Sequence, residues 1–290
     1  MKSAPFRYHA PTSASEAFSL KAEQGGDGRV LAGGQSLMPL MHFRLASPAS
    51  LIDINGVDEL DYIERKNGML SIGARTRQAQ ILTSEAAANA APLLVEAISY
   101  IGHAQIRNRG TVAGSAAHAD PAAEVPAALI ALGADLECVS RAGTRAVAAA
   151  DFFTGPFQTV LSDDELLTEI RVPAWPDGTG SAWMELTRIY HGFPVVGAGA
   201  VVHMSDGTID RAGLGLCGMA ATPIGADAAI DVLVGSAPSA ELVEDATSAA
   251  LADLEPPADV HGSTAYRTRA GRAYVRRTLT AAITNAGGTL

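Results

Sequence analysis

Short stretches of apolar and polar residues succeed one another along the N-terminal part of this chain. Residues 13–23 read as a helix, and the apolar run at 29–32 reads as a short strand. In SLMPLMHFR, Leu37, Leu40 and Met41 share one face at helical spacing, which predicts a helix from Ser36 to Arg44, and SLIDI at 50–54 reads as the next strand. GMLSIGA at 68–74 predicts a strand. TRQAQILTSEAAA predicts a helix capped by Thr76, and PLLVEAISYIG predicts another opened by Pro92.

The pattern then breaks. Residues 102–126, GHAQIRNRGTVAGSAAHADPAAEVP, hold no sustained period although apolar helices flank them, and a long irregular stretch inside a compact domain is usually functional. Beyond it AALIALG continues as helix, ADLECV and TRAVAAA read as strands, and ELLTEIRVP is an alternating strand closed by Pro173. AWPDGTGS, 174–181, gathers proline, glycine, aspartate and serine and is the best linker, so the domain boundary falls there. AWMELTRIY, VVGAGAVVHM and AGLGLCGM predict a small three-stranded antiparallel sheet, and two helical stretches, 239–254 and 263–283, end the chain.

Composition narrows what such a chain can do. With 290 residues, 48% of them hydrophobic, it is long enough for two domains with real cores. A net charge of −10 argues against a nucleic-acid binder and leaves small molecules or proteins as partners. The only cysteines, Cys138 and Cys217, cannot by themselves supply a four-thiolate iron–sulfur or zinc site. The N-terminus MKSAPFRYHAP lacks the apolar run of a signal peptide and no stretch is long enough to span a membrane, so a cytoplasmic protein is expected.

Candidate chemistry lies in two loops. In AGGQSLMPLM, adjacent glycines stand at a strand-to-helix turn, with Ser36 as N-cap and Pro39 in the first turn. Missing Cβ atoms and unpaired N–H groups favour an anion, a phosphate above all, although one GG pair alone is more often a tight turn. GTVAGSAAHADPAAEVP repeats the theme in Thr111, Gly114 and Ser115. Two such loops facing each other can clamp both phosphoryl groups of a diphosphate without a lysine. Arg107 and Arg109 lie just upstream, where they could add long-range attraction for the ligand, but two arginines in a loop read first as surface or structural residues. His103 and His118 lack a third metal ligand at useful spacing. Ser115, His118 and Asp120 offer hydrolase residue types without a nucleophile elbow. The arginines of the last helix, Arg267, Arg269, Arg272, Arg276 and Arg277, fit either a solvated face or a docking surface.

AGGQSLMPLM followed by LIDIN, then QIRNRGTVAGSAAHADPAAEVP and LLTEIRVP, closely resembles the FAD-binding medium subunit of the molybdenum hydroxylases, the family of xanthine dehydrogenase, aerobic CO dehydrogenase and the N-heterocycle dehydrogenases. The likeness runs in order and spacing from about residue 5 to about 285. It implies an α+β fold, with an FAD-binding domain of the vanillyl-alcohol-oxidase (PCMH) type at 1–176. A small C-terminal domain at 177–290 carries the three-stranded antiparallel sheet with helices. It also implies FAD as cofactor, held by Ala32, Gly33, Gly34, Gln35 and Ser36 with Leu31 and Leu37 as flanks, and by Thr111, Val112, Ala113, Gly114 and Ser115. Glu124 matches the position that bonds a ribose hydroxyl, more often an aspartate in the family, and Ile101 and Leu161 match apolar positions beside the cofactor.

Two departures stand out. Ala113 replaces the first of two glycines usual in the second loop, which requires that it need no positive φ and that its methyl point away from the phosphate. In RIYHGFPVVGAG, Gly192 and Pro194 stand where many relatives keep an aspartate and a small residue. The resemblance implies an oxidoreductase subunit that passes electrons from the clusters of a small [2Fe–2S] partner, fed by a large molybdopterin-binding partner, through FAD to an external acceptor. No catalytic acid, base or nucleophile is expected, because the flavin carries the redox chemistry. The alternatives are a self-sufficient FAD-dependent oxidoreductase with its own organic substrate and a non-catalytic flavin- or nucleotide-binding scaffold.

Overall fold

A computed structural model describes residues 2–290. The N-terminal unit is a parallel three-stranded sheet in the order β1 (Arg7–His9), β3 (Ser50–Asp53), β2 (Gly28–Leu31). Parallel neighbours need crossovers, and the chain supplies α1 (Ala14–Gln24) before β2 and α2 (Leu37–His42) between β2 and β3. Ser13 caps α1 by accepting from the Glu16 N–H at 3.2 Å.

The second unit is antiparallel, with strand order β4 (Ile63–Lys66), β5 (Met69–Gly73), β10 (Leu166–Pro173), β6 (Asp135–Ser140), β7 (Gly143–Ala148). Strand β10 shows why: Ile170 and Val172 are buried on one face. Between them Arg171 points to the other face and pairs with Glu137 at 2.6 Å. The helices α3 (Gln78–Thr83), α4 (Glu85–Ala90), α5 (Pro92–Tyr100), α6 (Ala104–Arg107), α7 (Val112–His118) and α8 (Glu124–Leu132) lie between β5 and β6. After β7 come α9 (Ala149–Phe152) and a small hairpin, β8 (Phe153–Gly155) with β9 (Gln158–Thr159).

Several expectations change in detail. The helix expected from a Thr76 cap is two helices, because Ser84 caps α4 by accepting from the Ala87 N–H at 3.2 Å. Thr76 caps neither. Its hydroxyl donates to the Tyr62 carbonyl at 2.8 Å, and α3 opens where the Gln80 side chain accepts from the Arg77 N–H at 2.6 Å. The stretch 102–126 is not loop throughout: it contains α6, α7 and the start of α8.

The C-terminal part has the three long strands expected, β11 (Gly180–Thr187), β12 (Pro194–Ser205) and β13 (Thr208–Cys217), with a two-residue strand β14 (Ile224–Gly225) added at the edge. Helices α10 (Asp227–Leu233), α11 (Ala240–Leu251) and α12 (Thr264–Asn285) complete the core under this sheet. The opposite face receives α8. A Cβ on Gly213 or Gly215 would lie 2.0 Å from the Ala131 or Ala127 carbonyl oxygen, so AGLGLC is glycine-rich because a helix backbone rests on it.

Arg267 is not on a solvated face. It is 3% exposed, donates to the Val195 and Gly218 carbonyls and pairs with Asp259 at 2.6 Å, pinning the start of β12 to α12. Among the described residues no helix is long and apolar enough to cross a membrane.

Candidate functional site

The first loop closes on itself before it meets anything else. Strand β2 ends at Leu31, Gly34 takes φ +71°, and the Gln35 side chain donates to the Gly33 carbonyl at 2.9 Å. The left-handed region favours glycine, and a Cβ on Gly34 would sit 3.0 Å from Leu31 Cδ1. The Met38 N–H donates to the Gly34 carbonyl at 3.0 Å. Among the described residues nothing accepts from the backbone N–H groups of Gly34, Gln35 or Ser36. Ser36 stands at the N-cap position with helical φ and ψ and makes no side-chain cap, so its part in the loop is its N–H, not its hydroxyl.

Gly33 has a different reason to be glycine. A Cβ there would meet the Arg109 carbonyl oxygen at 2.5 Å and the Gly110 Cα at 2.7 Å, so the second segment backs directly onto the first. The contact is clipped from behind. Arg77 donates to the Arg109 carbonyl and to the Asn55 side-chain oxygen, and the Asn55 amide donates to the Ala32 carbonyl at 2.9 Å. The Gln78 N–H donates to the Gly110 carbonyl at 2.8 Å and the Val112 N–H to the Thr76 carbonyl at 3.2 Å.

The second segment is a capped helix start. Thr111 Oγ1 accepts from the Gly114 N–H at 3.0 Å and the Thr111 carbonyl accepts from the Ser115 N–H at 3.1 Å, so its donors are largely used within the protein. Ala113 meets both conditions set by the sequence: it lies in α7 without a positive φ, and it is 3% exposed within the apolar core.

Beside the first loop lies a cavity of about 460 Å³, lined by Leu31 through Gln35 and by Met38, Pro39, Asp53, Asn55 and Arg109. Ser36, Leu37 and residues 111–115 do not line it. Ile101 and Leu161 are half-buried against the first core and do not line this cavity. Glu124 does not line it either; it is the first, buried residue of α8. Burial, reinforced by the charges of Glu185 and Asp120, pushes its carboxyl up to about 8, and burial raises Glu185 to about 7.

Asn55 and Arg77 escaped the sequence reading, and the signal for Asn55 was present in LIDIN. Asp53 accepts from the Asn55 N–H at 2.9 Å, an Asx turn at the end of a parallel strand beside the glycine loop. His103 packs edge-on to His191 with ring centroids 5.2 Å apart, and His118 packs against Phe157 at 5.1 Å. The turn holding Gly192 leaves Ile189, Tyr190 and Phe193 exposed ahead of Pro194. Its base is tied by Arg188, which donates to the His261 carbonyl.

An FAD diphosphate fits this first loop, which offers open N–H donors, no Cβ at Gly33 or Gly34 and room alongside. Comparison with known proteins independently gives FAD as the cofactor. Residues 4–175 match the family model described as the FAD binding domain in molybdopterin dehydrogenase, and residues 181–282 match the CO dehydrogenase flavoprotein C-terminal domain. The chain belongs to this family. It is 38% identical to subunit alpha of the 6-hydroxypseudooxynicotine dehydrogenase complex of Paenarthrobacter nicotinovorans, over 98% of this chain and 96% of that one. Carbon monoxide dehydrogenase of Hydrogenophaga pseudoflava contains a chain that superimposes with a TM-score of 0.96 at 39% identity, covering 98% of this chain and 99% of that chain. A chain of quinoline 2-oxidoreductase from Pseudomonas putida 86 gives 0.92 at 35% identity, covering 99% of each. Family membership makes the chain an FAD-binding oxidoreductase subunit of the molybdenum hydroxylase type, and relatives named as subunits and medium chains favour this over a self-sufficient enzyme.

Proposed function

We propose that this chain is the electron-exit subunit of a molybdenum hydroxylase. It takes electrons from the iron–sulfur clusters of a small [2Fe–2S] subunit, fed by a large molybdopterin-binding subunit, and passes them through FAD to an external acceptor. The observation that carries this reading is the joint match of both family domains along one chain whose first glycine loop lies beside a cavity and leaves its N–H donors without an acceptor among the described residues. The bound flavin supplies the redox chemistry. The chain's own residues hold and orient it: 32–36 at the diphosphate, with 111–115 behind and beside them, Glu124 toward a ribose hydroxyl, and Ile101 and Leu161 as apolar contacts. A carboxyl group raised to about 8 would meet that hydroxyl protonated at neutral pH, as a donor. Residues 1–176 form the FAD-binding domain and 177–290 the smaller one, and the complex works in the cytoplasm.

The direct test is anaerobic bleaching of the flavin after mixing with candidate organic substrates, for the lone chain and for the complex with both partners. The lone chain is expected to stay yellow and the complex to bleach within its turnover time, with bleaching lost when the small subunit is removed. A lone, metal-free chain bleaching as fast as the complex turns over would overturn the proposal.

A further inference from the structure

The cavity beside the first loop is lined by one arginine, Arg109, and one carboxylate, Asp53. Of the residues lining it, Asp53 is the one carboxylate, and it is already engaged: it accepts from the Tyr8 hydroxyl at 2.6 Å and from the Asn55 N–H at 2.9 Å. Arg109 also lines the cavity. It is exposed, and among the described residues its guanidinium has neither a hydrogen-bond acceptor nor an ion-pair partner. Behind it Arg77 spends its donors on a carbonyl and an amide oxygen and, among the described residues, forms no ion pair.

The neighbouring arginines show that this is particular to the cavity. Arg75 pairs with Asp58 and with Asp61, at 2.5 and 2.9 Å. Arg107 turns away and donates to the Ile101 and Gly102 carbonyls, both at 2.7 Å. Arg77 and Arg109 lie close enough to repel each other, Asp61 and Asp53 offset this at Arg77 to a lesser degree, and an incoming anion relieves it further. Burial first, and then the Arg109 charge, lowers Arg77, the direction such crowding gives.

We propose that Arg109, backed by Arg77, is the counter-charge of the FAD diphosphate: the open N–H groups of 34–36 take one side and the Arg109 guanidinium the other. The inference rests on the reading of 32–36 as the diphosphate loop. It assigns Arg109 a direct ligand role where its place in the loop pointed first to surface or structure, and it adds a local electrostatic attraction for FAD in an otherwise acidic chain. The backbone of Arg109 and its side chain have separate tasks. The carbonyl is held by Arg77 and abuts Gly33, whereas the side chain is free, so replacing the side chain leaves the scaffold in place.

The test uses the full-length chain stripped of FAD and titrated by calorimetry with FAD, ADP and adenosine at low and high ionic strength. Losing a charge-assisted contact costs roughly 1.5–3 kcal/mol, which corresponds to about a tenfold to hundredfold change in affinity. R109Q is therefore expected to bind FAD and ADP about tenfold to hundredfold more weakly and to bind adenosine as the native chain does. The salt dependence of ADP binding is expected to flatten. R109K is expected to recover most of the affinity through its point charge. Unchanged ADP affinity in R109Q would overturn the inference, as would an equal loss for ADP and adenosine, which marks a structural role. If the native chain bound ADP no more tightly than adenosine, the loop reading itself would fall and the inference with it.

Discussion

Glu124 is a carboxyl group held where charge is expensive. It begins α8 at 7% exposure, facing the charges of Glu185 and Asp120, and burial is the main reason it is pushed up to about 8. In the unfolded chain the same group titrates near its ordinary value of about 4.3. Between these limits the folded state holds a proton that the unfolded state has released, so folding stability falls as pH rises through that window. Glu185, raised to about 7, adds to the same slope. Melting of the FAD-free chain is therefore expected at a lower temperature at about pH 8 than at about pH 5, and E124Q, which keeps the shape and removes the charge, is expected to flatten the profile. The variant gains most at the alkaline end, by a few degrees, and nothing at the acid end. Parallel melting profiles for E124Q and the native chain would show that Glu124 does not carry the linkage.

At the scale of elements, legibility followed length. The helix opened by Pro92, the alternating strand ending at Pro173 and the long strands of the C-terminal sheet announce themselves, because each buries a periodic face over many residues. The break at Ser84 and the helical turns of α6 and α7 do not. They depend on a cap and on long-range bonds such as Val112 N–H to the Thr76 carbonyl, which no local period encodes. The site divides in the same way. The glycines were visible, whereas the Asn55–Arg77 clip exists only because residues 22 positions apart meet. Geometry also refines the obvious substitution. Gly34 has φ +71°, so G34D introduces backbone strain as well as negative charge. Asn tolerates that conformation and nearly matches Asp in size. G34N is therefore expected to keep much of the FAD, and G34D to lose nearly all of it while remaining folded. Equal FAD content in the two folded variants, measured by flavin absorbance per protein, would mean that no anion approaches this turn.

At the scale of the whole molecule, the boundary between the two family domains is not the boundary between the two cores. The larger core draws Trp183, Val201 and Cys217 from β11, β12 and β13 into the packing of the N-terminal part, and α8 lies with its backbone against Gly213 and Gly215. The Trp183 backbone N–H donates to Glu96 of α5 at 2.9 Å and its indole to Glu185 at 3.0 Å, so this side chain stands on the seam. Separating the parts would expose buried apolar surface on both sides at about 25 cal/mol per Å², a cost that couples their unfolding. The FAD-free chain is therefore expected to melt in one transition. Near-ultraviolet dichroism, to which Trp183 contributes at the seam, and far-ultraviolet dichroism, which reports all helices and strands, should give coincident curves. FAD at about a hundredfold over its dissociation constant should then raise the stability of the whole chain by about 2.7 kcal/mol and shift both curves together. Two separated transitions, with only the first moved by FAD, would show instead that the seam is weak and that the FAD-binding part stands alone.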